Sequence, residues 1–87
     1  MGAIQSNYIS LENIIKCGQK KLINAHIPNA KKEIEWFLSN KFSISLGDII
    51  INKTYKLNPE EIKKFNQFIE RRIEGEPFQY IINQIYY

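Results

Sequence analysis

Apolar and small residues recur mostly at helical spacing along this chain, and they predict an all-α fold, a small bundle of about five helices. In the first predicted helix they follow an i, i+3, i+4, i+7, i+11 pattern at Leu11, Ile14, Ile15, Gly18 and Leu22. Ser10 precedes this face as a predicted N-cap, and Glu12 and Lys16 are spaced for an ion pair along the helix. The helix is expected to end near residues 24–26, before Pro28.

The second and third segments continue the pattern with decreasing clarity. The second stripe consists of Ile34, Phe37, Leu38 and Phe42. Trp36 lies off this stripe and is predicted to contact a second neighbour or the surface. Ser45 and Asp48 are spaced as a helix capping box, yet the three isoleucines at 49–51 also suit a buried strand. A short helix is favoured because a lone strand has no evident partner.

The fourth segment has the strongest local signals. Asn58 is a predicted cap, Pro59 suits the first helical position, and Leu57 and Ile62 are spaced for a hydrophobic staple. Its apolar face consists of Ile62, Phe65, Phe68, Ile69 and Ile73. The helix should span about 59–74, with loops near 24–29 and 52–57.

A corner and a fifth helix are predicted next. Gly75 suits the left-handed position that commonly follows a helix, and Pro77 can open the next helix. The apolar side of this fifth helix consists of Phe78, Ile81, Ile82 and Ile85.

Composition excludes several classes of protein. The chain has 87 residues, room for one small domain, and its four glycines are too scattered for a phosphate-binding loop. The single Cys and single His do not suffice for a zinc site or a disulfide framework. We expect Cys17 to be a partly buried free thiol and His26 an exposed or helix-C-terminal side chain, and we predict no catalytic or metal-binding residue. No apolar run is long enough to span a membrane and no secretory signal is visible, so a reducing, cytoplasmic setting is expected.

The charge pattern leaves two readings open. Twelve Lys+Arg against nine Asp+Glu give a net charge of +3, with basic doublets at 20–21, 31–32, 63–64 and 71–72. These doublets suit either a nucleic-acid footprint or solvated helix faces. The sequence is rich in Ile, Lys and Asn, a bias typical of an AT-rich genome. Solvated faces are therefore favoured, and nucleic acid is not the expected partner.

The most specific segment is R-R-I-E-G-E-P-F-Q-Y-I, from Arg71 to Ile81. It closely resembles the R-R-x-x-G-E-P-x-Q-Y-I signature near the N-terminus of the HemK/PrmC family, the protein-(glutamine-N5) methyltransferases that modify peptide chain release factors. The segment from Ala30 to Leu38 resembles the family's second helix, with E-I-E at 33–35 in place of the usual D-A-E. The resemblance extends over nearly the whole chain.

The resemblance implies that substrate recognition and catalysis belong to separate domains. Family members continue into a Rossmann-like domain that binds S-adenosylmethionine and carries an N-P-P-Y motif, and this chain contains no such motif. It also stops on the apolar Ile85–Tyr87. We therefore expect residues 1–87 to be the isolated N-terminal, substrate-recognition domain, inactive and without cofactor on its own. The expected partners are the release factor, whose G-G-Q loop carries the target glutamine, and the chain's own catalytic domain. The protein is expected to be a monomer.

Two sets of site residues follow from the resemblance. The signature set comprises Arg71, Arg72, Gly75, Glu76, Pro77, Gln79 and Tyr80. It is expected to form a stiff corner, from which Tyr80 packs back on the bundle, and to orient the bundle towards the catalytic domain. The candidate partner contacts are Lys31, Lys32 and Trp36. The alternative is a free-standing basic helical domain that binds nucleic acid or acts as an adaptor.

Overall fold

The computed structural model describes residues 8–42, 44–51 and 56–85 and confirms the small helical fold. Its elements, in chain order, are β1 (Ile9–Ser10), α1 (Leu11–Asn24), α2 (Ala30–Lys41), α3 (Leu46–Ile51), β2 (Lys56–Leu57), α4 (Pro59–Ile73) and α5 (Phe78–Ile85). The segment at 46–51 is thus a helix rather than a strand, whereas residues 52–55 of the predicted loop lie outside the described residues.

The caps predicted at Ser10, Ser45 and Asn58 are confirmed. The Ser10 hydroxyl accepts a hydrogen bond from the Asn13 N–H at 3.3 Å, and the Ser45 hydroxyl accepts one from the Asp48 N–H at 3.0 Å. At α4 the cap is reciprocal. The Asn58 side chain accepts from the Glu61 N–H at 2.8 Å, and the Glu61 carboxylate accepts from the Asn58 N–H at 2.9 Å. Each cap satisfies backbone donors that have no partner inside the helix.

Three phenylalanines form the centre of the core, where α2 and α4 meet. The rings of Phe37 and Phe68 are stacked with centroids 4.5 Å apart, and Phe65 meets both rings edge-on. Such offset and edge-to-face contacts suit the charge distribution of aromatic rings. Among the described residues, the surrounding apolar core consists of Leu11, Ile14, Leu22, Ala30, Ile34, Leu38, Ile44, Ile49, Leu57, Ile69 and Ile81.

A glycine lets α1 approach this core closely. A Cβ atom at Gly18 would lie 2.7 Å from Phe65 Cζ and 3.2 Å from Ile34 Cδ1, too near for an alanine to fit without displacement. Because Gly18 takes the inward position of this turn, the neighbouring Cys17 points outward. The prediction of a partly buried thiol is therefore wrong, since Cys17 is exposed.

The sequence did not predict the short β-ladder. β1 and β2 pair in antiparallel fashion, with Ile9 opposite Leu57 and Ser10 opposite Lys56. Residues 56–57, predicted as loop, therefore pair with the segment before α1, and this joins the starts of α1 and α4. A pairing of two residues per strand leaves no periodicity for a sequence pattern to detect.

The last turn of α4 differs from the predicted stripe. Ile73 was expected on the apolar face, but its side chain is 42% exposed. Arg72, seven residues after Phe65 and four after Phe68, takes the inward direction instead. The inward stripe of α4 therefore ends in a guanidinium group.

Candidate functional site

The signature segment forms the corner between α4 and α5. Gly75 has a φ of +107°, so it adopts the glycine-specific conformation predicted for it. The Glu76 N–H donates to the Arg71 carbonyl at 3.2 Å, and the Gly75 N–H donates to the Arg72 carbonyl at 3.1 Å. This pair of bonds defines a Schellman motif, which ends a helix sharply.

An ion pair braces the Schellman motif from outside. Arg71 Nη2 lies 2.6 Å from Glu76 Oε1, and Arg71 Nε lies 3.1 Å from each carboxylate oxygen of Glu76. In many Schellman motifs an apolar contact joins these two positions, and here two charged groups do so. The hydrogen bond to Glu76 raises the pKa of the Arg71 guanidinium, and the same bond lowers the pKa of the Glu76 carboxyl.

Arg72 joins the corner to α2. Its Nε donates to Glu33 Oε1 at 2.9 Å, and its Nη2 donates to Glu33 Oε2 at 3.2 Å. Its Nη1 donates to the backbone carbonyl of Glu76 at 3.2 Å. The Arg72 and Glu33 side chains are only 18% and 12% exposed, so water competes weakly for this two-point contact.

The rest of the signature begins α5. The Pro77 carbonyl accepts from the Ile81 N–H at 3.1 Å, and the helix starts one residue after the proline, at Phe78. Gln79 is exposed and Tyr80 is 53% exposed. The prediction that Tyr80 packs against the bundle is therefore wrong, because α5 turns Ile81 inward instead.

Two contacts attach α5 to α2. The Trp36 ring lies 5.9 Å from the Phe78 ring, and Lys41 Nζ donates to the Ile82 carbonyl at 2.6 Å. Burial, helped by the nearby charge of Lys64, lowers the pKa of the Lys41 ammonium. Trp36 is also 47% exposed, so it has both the second neighbour and the surface position that its place off the stripe predicted.

The three candidate partner contacts do not share one face. Lys32 and Trp36 lie one helical turn apart on α2, and both are exposed. Lys31 instead lines a small open pocket between α1, α2 and α3, together with Glu12 and Glu35. The structure thus places two of the three residues together and separates the third.

Other chemistry is sparse in the part of the chain that the structure describes. Across residues 8–42, 44–51 and 56–85, no three His, Cys, Asp or Glu side chains are grouped to hold a metal ion. None of the described helices is long and apolar enough to cross a membrane. His26 is exposed after the end of α1, as predicted.

Sequence reasoning missed the role of Glu33. The pattern showed this residue only as the first acid of E-I-E, without a partner. A usable signal was present in α4, where Arg72 continues the inward direction of Phe65 and Phe68. A cation at such a position calls for an acidic partner, but that Glu33 on α2 supplies it depends on the packing of the helices.

These features define a small helical domain whose last two helices meet at a braced corner. The family described as PrmC N-terminal domain matches residues 13–82, and the chain belongs to this family. The resemblance read from the signature is thereby confirmed.

Two curated relatives are similar to the chain. It is 40% identical over 70 residues to the release factor glutamine methyltransferase of Buchnera aphidicola subsp. Schizaphis graminum, an alignment that covers 80% of the chain and 25% of the relative. It is 36% identical over 56 residues to the release factor glutamine methyltransferase of Geobacter sulfurreducens, which covers 64% of the chain and 20% of the relative. The chain thus spans a quarter or less of the length of these relatives. No solved structure matches it.

Proposed function

We propose that this chain is the N-terminal domain of a longer release factor glutamine methyltransferase, and that it docks the release factor for a separate catalytic domain. The family match over residues 13–82 carries the proposal, and both relatives bear that name. The chain aligns with a quarter or less of each relative, which leaves ample length for a catalytic domain.

S-adenosylmethionine belongs to that catalytic domain in this proposal. The described glycines do not fit a cofactor loop: Gly18 lies inside α1 against Phe65, Gly47 lies in α3, and Gly75 ends α4. The two strands among the described residues have two residues each and lead into α1 and α4 without a glycine, so neither builds the glycine-rich strand-to-helix turn that cradles a cofactor. We therefore assign no step of methyl transfer to this domain.

The domain's contribution is binding energy and orientation. A release factor is a large substrate, and contacts far from the target glutamine of its G-G-Q loop can hold that glutamine near the methyl donor. The exposed faces of Lys32 and Trp36 are the proposed contact, because exposed Trp residues commonly anchor protein interfaces. A partner in translation termination also implies a cytoplasmic protein, which we propose acts as a monomer.

The signature corner is proposed to face the other way, towards the catalytic domain. Arg71 and Arg72 bind Glu76 and Glu33 within this domain, which stiffens the corner. Gln79 and Tyr80 are exposed on α5 and available for contact with a following domain. The corner would then set the angle between the docking surface and the active site.

The test compares the full-length enzyme with a version lacking residues 1–85, on intact release factor and on a short G-G-Q peptide. We expect the deletion to lower kcat/KM for the release factor by about 10-fold or more, equivalent to about 1.4 kcal/mol, and to leave the peptide reaction unchanged. Equal activity of both enzymes on the intact release factor would refute the docking role.

A point variant sharpens this test. In the full-length enzyme, Trp36→Ala should raise KM for the release factor, since it removes a docking contact remote from the chemistry. Tyr8→Ala is the matched control, because Tyr8 is an equally exposed aromatic residue outside α2. Identical KM values for the two variants would show that Trp36 does not contact the release factor.

A further inference from the structure

One guanidinium group connects three separate parts of the fold. Arg72 projects from α4, binds the carboxylate of Glu33 on α2, and binds the backbone carbonyl of Glu76 in the corner. All three of its nitrogens are engaged. Because a guanidinium is planar and rigid, these bonds fix the Glu33 carboxylate and the Glu76 peptide in one relative orientation.

The orientation of the Glu76 peptide determines the direction of α5. Only Pro77 separates Glu76 from the start of α5 at Phe78, and its ring restricts the backbone φ angle. With the Schellman motif fixing the turn at Gly75, little freedom remains between α4 and α5. The direction of α5 therefore depends on how firmly the Glu76 peptide is held.

α5 packs on α4 and is attached to α2 as well. Near one end of α5 the Phe78 ring contacts Trp36, and further along it the Ile82 carbonyl accepts from Lys41. Glu33 adds a third point on α2, through Arg72. The same helix carries the exposed Lys32 and Trp36, so the proposed docking surface and the support of α5 are on one rigid element.

We propose that Glu33 is a positioning residue: through Arg72 it fixes the direction of α5 relative to the docking surface on α2. This inference rests on the proposed function. Glu33 touches neither substrate nor cofactor. It determines the fraction of docked release factor whose glutamine lies in a reactive position, and so it acts on turnover rather than on binding.

The experiment uses the full-length enzyme with intact release factor and with a short G-G-Q peptide. Glu33→Gln keeps the shape of the side chain but removes its charge and one acceptor. We expect a roughly 10-fold loss of kcat on the release factor with KM unchanged, because docking survives while alignment is lost. The peptide reaction should keep its wild-type kcat, since the peptide does not use the docking surface.

Two further variants separate positioning from folding. Glu33→Asp retains the charge and both oxygens, and it should restore most of the lost kcat. Glu35→Gln is the matched control, because Glu35 lies on the α1 and α3 side of the same helix, and it should behave as wild type. Circular dichroism at the assay temperature checks that each variant is folded.

The outcomes separate the positioning role of Glu33 from the docking role of the domain. Wild-type kcat for folded Glu33→Gln on the release factor overturns the positioning role, and so does an equal loss with Glu35→Gln or a loss on the peptide. The docking proposal is judged separately, by deletion of residues 1–85. If that deletion impairs the release-factor reaction while Glu33→Gln does not, docking stands and the role of Glu33 fails.

Discussion

Arg71 and Glu76 lie five positions apart, yet their side chains meet at 2.6 Å because the Schellman motif between them folds the chain back. The backbone bond from the Glu76 N–H to the Arg71 carbonyl joins the same two residues. Backbone and side chains thus close one loop around Gly75. The R-R-x-x-G-E-P signature therefore encodes a helix end together with the ion pair that braces it.

The first prediction concerns the pH dependence of this brace. Arg71 lowers the pKa of the Glu76 carboxyl in the folded state from its usual value of 4.5. A carboxyl with a lowered pKa stabilises the fold above its unfolded-state pKa, and that stabilisation is lost as the pH falls through the folded-state pKa. Glu76→Gln should therefore be less stable than wild type at neutral pH, and the difference should shrink in acid.

The measurement is denaturant unfolding of both proteins between about pH 7 and pH 3. Glu70→Gln is the control, because Glu70 is an exposed acid on the same helix. A difference between Glu76→Gln and wild type that persists unchanged at the lowest pH would contradict the assignment of the brace.

The second prediction isolates the backbone conformation of Gly75. Among the described residues, no atom outside its chain neighbours lies within 4 Å of the position of a Cβ at this residue, so an alanine would meet no steric obstacle from them. The cost of Gly75→Ala should be purely conformational, about 1–2 kcal/mol, because its φ is +107°. Gly75→Asn should cost less, since Asn tolerates such conformations better.

Gly47 is the matched control for this substitution. Among the described residues it also has open space around it, with Ser45 Oγ 3.9 Å away, but it lies within α3. Gly47→Ala should be neutral or stabilise the fold by up to about 1 kcal/mol, because Ala favours the helix. Equal unfolding free energies for the two alanine variants would show that the corner does not need glycine.

Local signals explain which parts of this fold the sequence could predict. Ser10, Asn58 and Gly75 act on backbone groups within a few residues, so their roles could be predicted from neighbouring sequence alone. The capping pattern at Ser45 and Asp48 also suits the short helix at 46–51, which is predicted over a strand because a lone strand has no evident partner. Family membership was predictable because the signature is dense and contiguous.

Long-range contacts explain what the sequence could not show. Arg72 and Glu33 are separated by 39 positions, and their pairing depends on the packing of α2 against α4. The two-residue ladder joining Ile9 to Leu57 depends on the same assembly. Ile73 is predicted on the buried face of α4 because it is apolar, but the helix geometry turns Arg72 inward in that turn.

The third prediction tests the close approach of α1 to the core. Gly18→Ala gains up to about 1 kcal/mol of helix propensity, yet its Cβ would lie 2.7 Å from Phe65 Cζ. Phe65 is held between Phe37 and Phe68 and has little room to move. Overpacking of this kind typically costs about 1–3 kcal/mol, so we expect a net loss of stability in thermal or denaturant unfolding.

A double-mutant cycle identifies the cause of that loss. Phe65→Leu removes the ring atoms that the new methyl group would meet, so Gly18→Ala should cost less in that background than in wild type. Additive free energies of unfolding in the cycle would show that contact with Phe65 is not the reason.

The last prediction concerns the packing of α5 against α2, and it uses the fluorescence of Trp36, the single tryptophan of the chain. Trp36 is partly covered by the Phe78 ring, which in turn contacts Phe68 in the core. Phe78→Ala should expose the indole and shift its fluorescence to longer wavelength while the chain remains folded. Because Phe78 is only half-buried, the cost in stability should be about 2 kcal/mol, below that of a fully buried Phe. Tyr80→Ala, on the outer side of the same helix, should leave the emission unchanged, and a shift as large as that of Phe78→Ala would contradict the observed packing of α5 on α2.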